Sequence, residues 1–135
     1  MEEVLGLPEG ISIVYMETTV YDSYPEDSSF SITASEGRKL LVLDFAIINA
    51  SDQEQAIDFL TMSPEFRVTV NGDYTRRAML TMLEEDMTVY QGTISSMDSA
   101  PVVLVIEVDE ERAANLSSIS LSLKNDSKAY TIQLY

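Results

Sequence analysis

The sequence predicts an all-β chain folded as one antiparallel β-sandwich of about eight or nine strands, with one or two short helical turns. Three observations carry that prediction. Apolar and polar residues alternate with period two along most of the chain. Turn-forming residues interrupt the alternation every 8 to 15 residues or so, roughly the spacing of a sandwich. No heptads, repeats or long helical patterns separate the runs. At 135 residues the chain reads as a single domain, 1–135, with residues 1–10 as a flexible lead-in. Hydrophobic residues make up 45% of it, which is enough to bury a core without a metal or disulfide staple.

The elements follow in order. Ile11, Ile13 and Tyr15 alternate with Ser12, Val14 and Met16, and Thr18, Thr19 and Val20 extend the run as one strand or two. Tyr21 to Ser29 is the longest expected loop, since Pro25 removes a backbone donor and its Asp and Ser side chains compete with a ladder. Phe30, Ile32 and Ala34 start a strand that ends at Glu36-Gly37. Arg38 to Asn49 is apolar on both faces and belongs in the middle of a sheet, and Asp44 is expected at a margin reached by water or an Arg. Ser51 and Glu54 have capping-box spacing, with a helical turn or a loop equally open. Ile57, Phe59 and Thr61 read as a short strand ended by Ser63-Pro64.

Phe66, Val68 and Val70 lead into Asn71-Gly72, which fits a type I′ hairpin turn, and the return arm starts near Tyr74. Arg76 to Asp86 is ambiguous between helix and strand, with helical spacing at Met79, Leu80, Leu83 and Met87. Val89 and Tyr90 lie in a further run to Ile94. Pro101 to Val108 is a second inner strand, and Asp109 caps a short helix that Asn115 closes in the left-handed conformation. Ile119 to Leu123 and Tyr130 to Leu134 form a closing hairpin.

Composition excludes much chemistry. The chain has no His and no Cys, which removes imidazole bases, thiolate nucleophiles, zinc-thiolate sites and disulfides. Its net charge of −15 repels nucleic acid and anionic membranes. Leu40 to Ile48 is too short to span a bilayer and Asp44 interrupts it. The N-terminal segment MEEVLGLPEG carries Glu where a secretory leader would carry Lys or Arg, so the given chain shows no signal peptide. No cofactor or metal is expected, and the chain is not expected to be an enzyme.

The strand LLVLDFAIINAS ending on Asn49-x-Ser51, Phe66 with the Asn71-Gly72 turn and Tyr74, and PVVLVIEVDEE before a terminal hairpin resemble the telokin-like, immunoprotective-extracellular-antigen-type immunoglobulin-like domains of bacterial secreted antigens and lipoproteins. The likeness covers residues 39–135, with Ser99-Ala100-Pro101 where that family often has Pro-Gly. It implies an immunoglobulin-like sandwich outside the cytoplasm, at the surface of a Gram-positive-type cell. The resemblance also implies a lipid anchor through a Cys upstream of Met1, a family of unknown function, and no catalytic residues to carry over.

The function expected is therefore a non-catalytic cell-envelope binding or structural module. Its partner would be a protein or an envelope component, met by loops at the sandwich end or by a sheet edge. Tyr21 and Tyr24, flanking the acidic loop, are the candidate ligand contacts, and a glycan-binding module built on them is the first rival. A hydrolase using paired carboxylates is the second. Glu84-Glu85-Asp86 and Asp109-Glu110-Glu111 lack the spacing of a calcium loop and read as solvated turns. The seven Met residues read mainly as core filling.

Overall fold

In the computed structural model, which describes residues 1–25, 31–81 and 83–135, the chain runs through β1 (Ile11–Tyr21), β2 (Ser23–Tyr24), β3 (Ile32–Thr33), β4 (Arg38–Asn49) and β5 (Gln55–Asp58). The helical turn α1 (Phe59–Met62), β6 (Glu65–Val70) and β7 (Tyr74–Arg77) follow. A 3₁₀ turn (Met87–Val89), β8 (Gln91–Ile94), β9 (Ser99–Asp109), α2 (Glu110–Ala114), β10 (Ile119–Asn125) and β11 (Lys128–Gln133) complete the order.

Two antiparallel sheets face each other, one ordered β1-β4-β9 and the other β11-β10-β6-β7. β4 sits in the middle as its doubly apolar pattern requires. Leu41, Leu43, Phe45 and Ile47 point into the space between the sheets, where they meet Leu104 and Ile106 from β9 and Phe66, Val68, Leu121 and Leu123 from the other sheet. Leu40 and Val42 face outward and form a second cluster with Val103 and Val105. Each fully buried Leu, Ile or Phe contributes about 1.5–3 kcal/mol, so the inner layer dominates stability. The two short pairs β2–β3 and β5–β8 raise the strand number above the eight or nine expected.

Several elements settle a reading left open or depart from the expected one, each for a local reason. The first strand is single, with a bulge between Tyr15 and Glu17 where it crosses β4. Phe59 and Thr61 are helical, because the Asp58 carboxylate accepts the Thr61 N–H at 2.9 Å and caps a turn. Ser51 starts no helix, since its N–H and hydroxyl both donate to Asn49 Oδ1. Asn49 is fully buried, and its amide donates to the carbonyls of Gln53, Ile94 and Ser95. Asn115 closes α2 at φ −131°, outside the left-handed region. Met87 is buried as core filler, but Met16 and Met97 are exposed. Residues 1–10 are packed on the sandwich: Leu5 is fully buried, Asn125 donates to the Val4 carbonyl, and the Glu2 carboxylate accepts the Ile13 N–H. The expected strand start at Phe30 and the loop tip from Glu26 to Ser29 lie outside the described residues.

Among its described residues, the ambiguous segment is neither helix nor strand beyond Arg77. From Ala78 it follows the open edge of β9 as a strap, Met79 N–H donating to the Val105 carbonyl and Val103 N–H to the Glu85 carbonyl, each at 2.8 Å. Asp86 pins its far end. That carboxylate is 2% exposed and accepts from the N–H and hydroxyl groups of both Thr81 and Thr88. Asp86 is thus buried and fully partnered, not part of a solvated acidic turn.

Candidate functional site

The β6–β7 hairpin closes through Asn71 and Gly72, both at positive φ (55° and 75°), as a type I′ turn demands. Its register places Tyr74 opposite Val70 and Arg76 opposite Val68, so both project toward the core side of an edge strand and overhang the gap to the first sheet. Tyr74 bridges that gap. Its hydroxyl donates to the Glu107 carbonyl on β9 at 2.9 Å and accepts from Arg38 Nη1 on β4 and from Arg76 Nε, each at 3.0 Å. One donor and two acceptors exhaust a phenol. The guanidinium carbons of Arg76 and Arg112 each lie 4.9 Å from the ring centroid, within cation–π range.

Arg112 reaches this corner from α2, which Asp109 caps by accepting the Arg112 N–H at 3.0 Å. The same guanidinium pairs with Asp109 at 2.7 Å and Asp73 at 3.1 Å. Those hydrogen bonds push the Arg112 pKa up, and Arg112 in turn holds the Asp109 carboxyl below its usual value. Arg77, on the outer side, pairs with Glu65 at 3.5 Å. Arg38 and Arg76 have no carboxylate within ion-pair distance among the described residues. Between them lies an open cavity of about 370 Å³ lined by Arg38, Tyr74, Arg76, Arg77, Met79 and Glu107. The Glu107 carboxylate is held by Ser35, accepting its N–H at 2.8 Å and its hydroxyl at 3.0 Å. Sequence reasoning missed this corner, because its members are spread from position 38 to 112; the only local signal is the Arg76-Arg77 pair on a hairpin arm.

Tyr21 and Tyr24 lie at the other end of the strap. Their rings pack together at 5.0 Å, tilted by 54°, and cover the outward cluster of Leu40, Val42, Val103 and Val105 with Ile32, Ala34 and Leu83. Both are half-buried. Burial, with the charges of Glu85 and Asp44, pushes the Tyr24 phenol up to about 12. Asp44, directly opposite Glu17 across β1–β4, is raised above its usual value, first by burial and then by Glu17 and Glu85. Of the two partners expected for Asp44, water or an Arg, no Arg is paired with it among the described residues; it is half-buried, with Glu17 and Glu85 as its charged neighbours. No group of three or more Asp or Glu residues among the described residues is placed to hold a metal ion.

Sheet edges are treated unequally. β9 is covered by the strap, and β7 is only four residues long and carries two guanidinium groups. β1 is bulged and is capped at Ile13 by Glu2. β11 pairs with β10 on one side only and is exposed at every residue except the half-buried Ile132.

No family model matches the chain, and no curated protein sequence does. Solved structures do. An uncharacterised β-sandwich protein from Clostridium difficile 630 superposes with a TM-score of 0.57 at 15% identity, covering 96% of this chain and 88% of that one. A conserved hypothetical protein from Bacillus anthracis gives 0.59 at 10% identity over 95% and 89%. The chain has their β-sandwich fold. A candidate lipoprotein, ycdA of Bacillus subtilis, gives 0.50 at 16% identity, covering 92% of this chain and 36% of that one, so this sandwich spans about a third of its length. Among the described residues, no helix is long and apolar enough to cross a membrane.

Proposed function

We propose that this sandwich is a non-catalytic binding module of the bacterial cell envelope, which recognises a protein partner by accepting one of its strands along β11. The observation that carries the reading is the contrast between edges. Three are covered, bulged or short and charged, and β11 offers a straight row of six residues. In the ladder with β10, alternate residues turn their N–H and C=O groups away from the partner strand. With Leu121, Leu123 and Asn125 closing the hairpin onto Ile132, Tyr130 and Lys128, the outward groups belong to Ala129, Thr131 and Gln133. Main-chain pairing on such an edge supplies affinity, and side chains on alternate faces supply selectivity.

The envelope location and the telokin-like, immunoglobulin-like character rest on the sequence resemblance, and the candidate-lipoprotein neighbour points the same way. The non-catalytic reading is supported by the carboxylates. Of the three carboxylates that line the cavity beside α2, Asp73, Asp109 and Glu111, the first two are ion-paired with Arg112, and Asp109 is held below its usual value. A two-carboxylate hydrolase needs a raised acid facing bound substrate. Asp44 is raised, but it sits opposite Glu17 in the β1–β4 ladder and does not line the cavities beside α2 or at Tyr74.

The test is binding of the purified chain to solubilised Gram-positive envelope proteins, read by amide exchange along β11. Binding should protect the Thr131 and Gln133 amides, and Thr131→Pro, which deletes an outward donor, should lower retention at least tenfold. Retention unchanged by Thr131→Pro, or binding without protection of β11, would overturn the strand-addition reading.

A further inference from the structure

A chain with 23 acidic and 8 basic residues has ample carboxylate with which to neutralise each cation. Yet four of its five arginines, Arg38, Arg76, Arg77 and Arg112, are drawn to the Tyr74 corner. Two of the four, Arg38 and Arg76, are unpaired among the described residues. Like charges at such spacing repel one another, and among the described residues the contact that Arg38 and Arg76 share at hydrogen-bond distance is a neutral phenol.

We propose that the Tyr74 corner is a binding site for a single oxyanion group, a carboxylate or a phosphate carried by a small ligand. The donors are already arranged. Tyr74 consumes one N–H of Arg38 and the Nε–H of Arg76; the two terminal amino groups of Arg76 and the remaining donors of Arg38 stay available. A guanidinium fork matches two oxygens of one anion. Stacking on the Tyr74 ring fixes the plane of Arg76 beforehand, so less freedom is lost on binding. The one carboxylate that lines the cavity, that of Glu107, is committed to Ser35 and does not occupy the forks. Met79 and the tyrosine ring add apolar wall.

The ligand must also be small. A net charge of −15 sets up a field whose repulsion grows with ligand charge. A polyanion such as nucleic acid would meet that field over its whole length, but one phosphate or carboxylate group meets only the local positive corner. This site lies on the edge of the sheet opposite β11, so it stands or falls separately from strand addition.

The test is a nuclear magnetic resonance titration of the wild-type chain at low ionic strength and neutral pH, with inorganic phosphate in one arm and acetate in the other. Sodium chloride at matched ionic strength is the blank. Saturable shifts at the Arg38 and Arg76 Nε–H and Tyr74 ring signals are expected at low millimolar concentration, and the arm with the tighter saturation identifies phosphate or carboxylate as the preferred group. Arg76→Gln should weaken binding roughly tenfold, the factor that corresponds to losing about 1.4 kcal/mol. Lys128→Gln, with the same change in net charge on the far edge, should leave binding within about twofold. Arg38→Gln, which removes the second unpaired guanidinium from a different strand and leaves Arg76 in place, should weaken binding by a similar factor and is the readout should Arg76→Gln loosen the corner. Absence of saturable shifts in both arms would overturn the proposal, as would equal weakening in Arg76→Gln and Lys128→Gln.

Discussion

Two tyrosines mark the two ends of one strap and live in opposite electrostatic surroundings. Tyr74 is gripped by guanidinium groups from β4, β7 and α2, and its hydroxyl accepts twice. Tyr24 lies on the outward aliphatic cluster among the carboxylates of Glu85 and Asp44, and burial first, then those charges, push its phenol up to about 12. The same side chain thus serves as an acceptor hub in one place and as an apolar lid in the other. The difference teaches that a strongly acidic chain does not spread its few cations evenly. It concentrates them where two sheets must be bridged and leaves its carboxylates to face one another elsewhere.

The strap separates these two surroundings, so releasing it is the most severe way to break the contrast. Asp86→Ala strands two part-buried backbone N–H groups, of Thr81 and Thr88, and two hydroxyls. Leaving buried donors unsatisfied costs about 1–3 kcal/mol per group, so a loss of about 3 kcal/mol or more is expected in urea unfolding. Amide exchange should quicken at Met79 and Val103, the two donors that join strap and β9. A variant as stable as wild type would mean that the strap is held by its backbone alone.

A gentler substitution compares the two phenols directly. Tyr74→Phe keeps the ring and both cation–π contacts but removes three hydrogen bonds and leaves the Glu107 carbonyl without its phenol donor. The expected cost is about 1–2 kcal/mol. Tyr24→Phe retains the apolar cover and removes a hydroxyl from among carboxylates, so its cost should stay below about 0.5 kcal/mol. Equal losses in thermal unfolding would contradict the assignment of hub and lid.

Much of the sandwich was legible because it obeys local rules. Period two in Arg38–Asn49 and Pro101–Val108 gave the inner strands, Asn71-Gly72 the hairpin, and Asp109 the cap of α2. The strap was not legible: its helical spacing at Met79, Leu80 and Leu83 reflects no periodic face, since its backbone is satisfied by β9 and by the Asp86 side chain, partners that sequence spacing does not reveal. Phe59 followed period two from Ile57, yet the Asp58 cap overrode it. The Tyr74 corner was illegible for a related reason. Its arginines come from three elements, β4, β7 and α2, and no spacing rule links Arg38 to Arg112. Tyr21 and Tyr24 stood out because they flank an acidic loop, and the fold places them over aliphatic residues instead of around a cavity.

The smallest expected effect sharpens the acidic end. Asp44 and Glu17 are directly opposed across two strands, and like charges so placed destabilise a sheet by about 0.2–1 kcal/mol. Asp44 titrates above its usual value, through burial first and the neighbouring carboxylates second. The folded state therefore binds the Asp44 proton more tightly than the unfolded state, and stability falls as pH rises from the ordinary Asp range through the raised value. Above that window the penalty is complete. Asp44→Asn should accordingly stabilise the chain at neutral pH by up to about 1 kcal/mol, and the gain should vanish below the unfolded pKa, where both side chains are neutral. Glu17→Gln removes the opposing charge without touching Asp44, so it should recover part of the gain with a similar pH dependence. A stabilisation by Asp44→Asn that persists unchanged at acid pH would assign the effect to packing and remove charge repulsion from the account of this face.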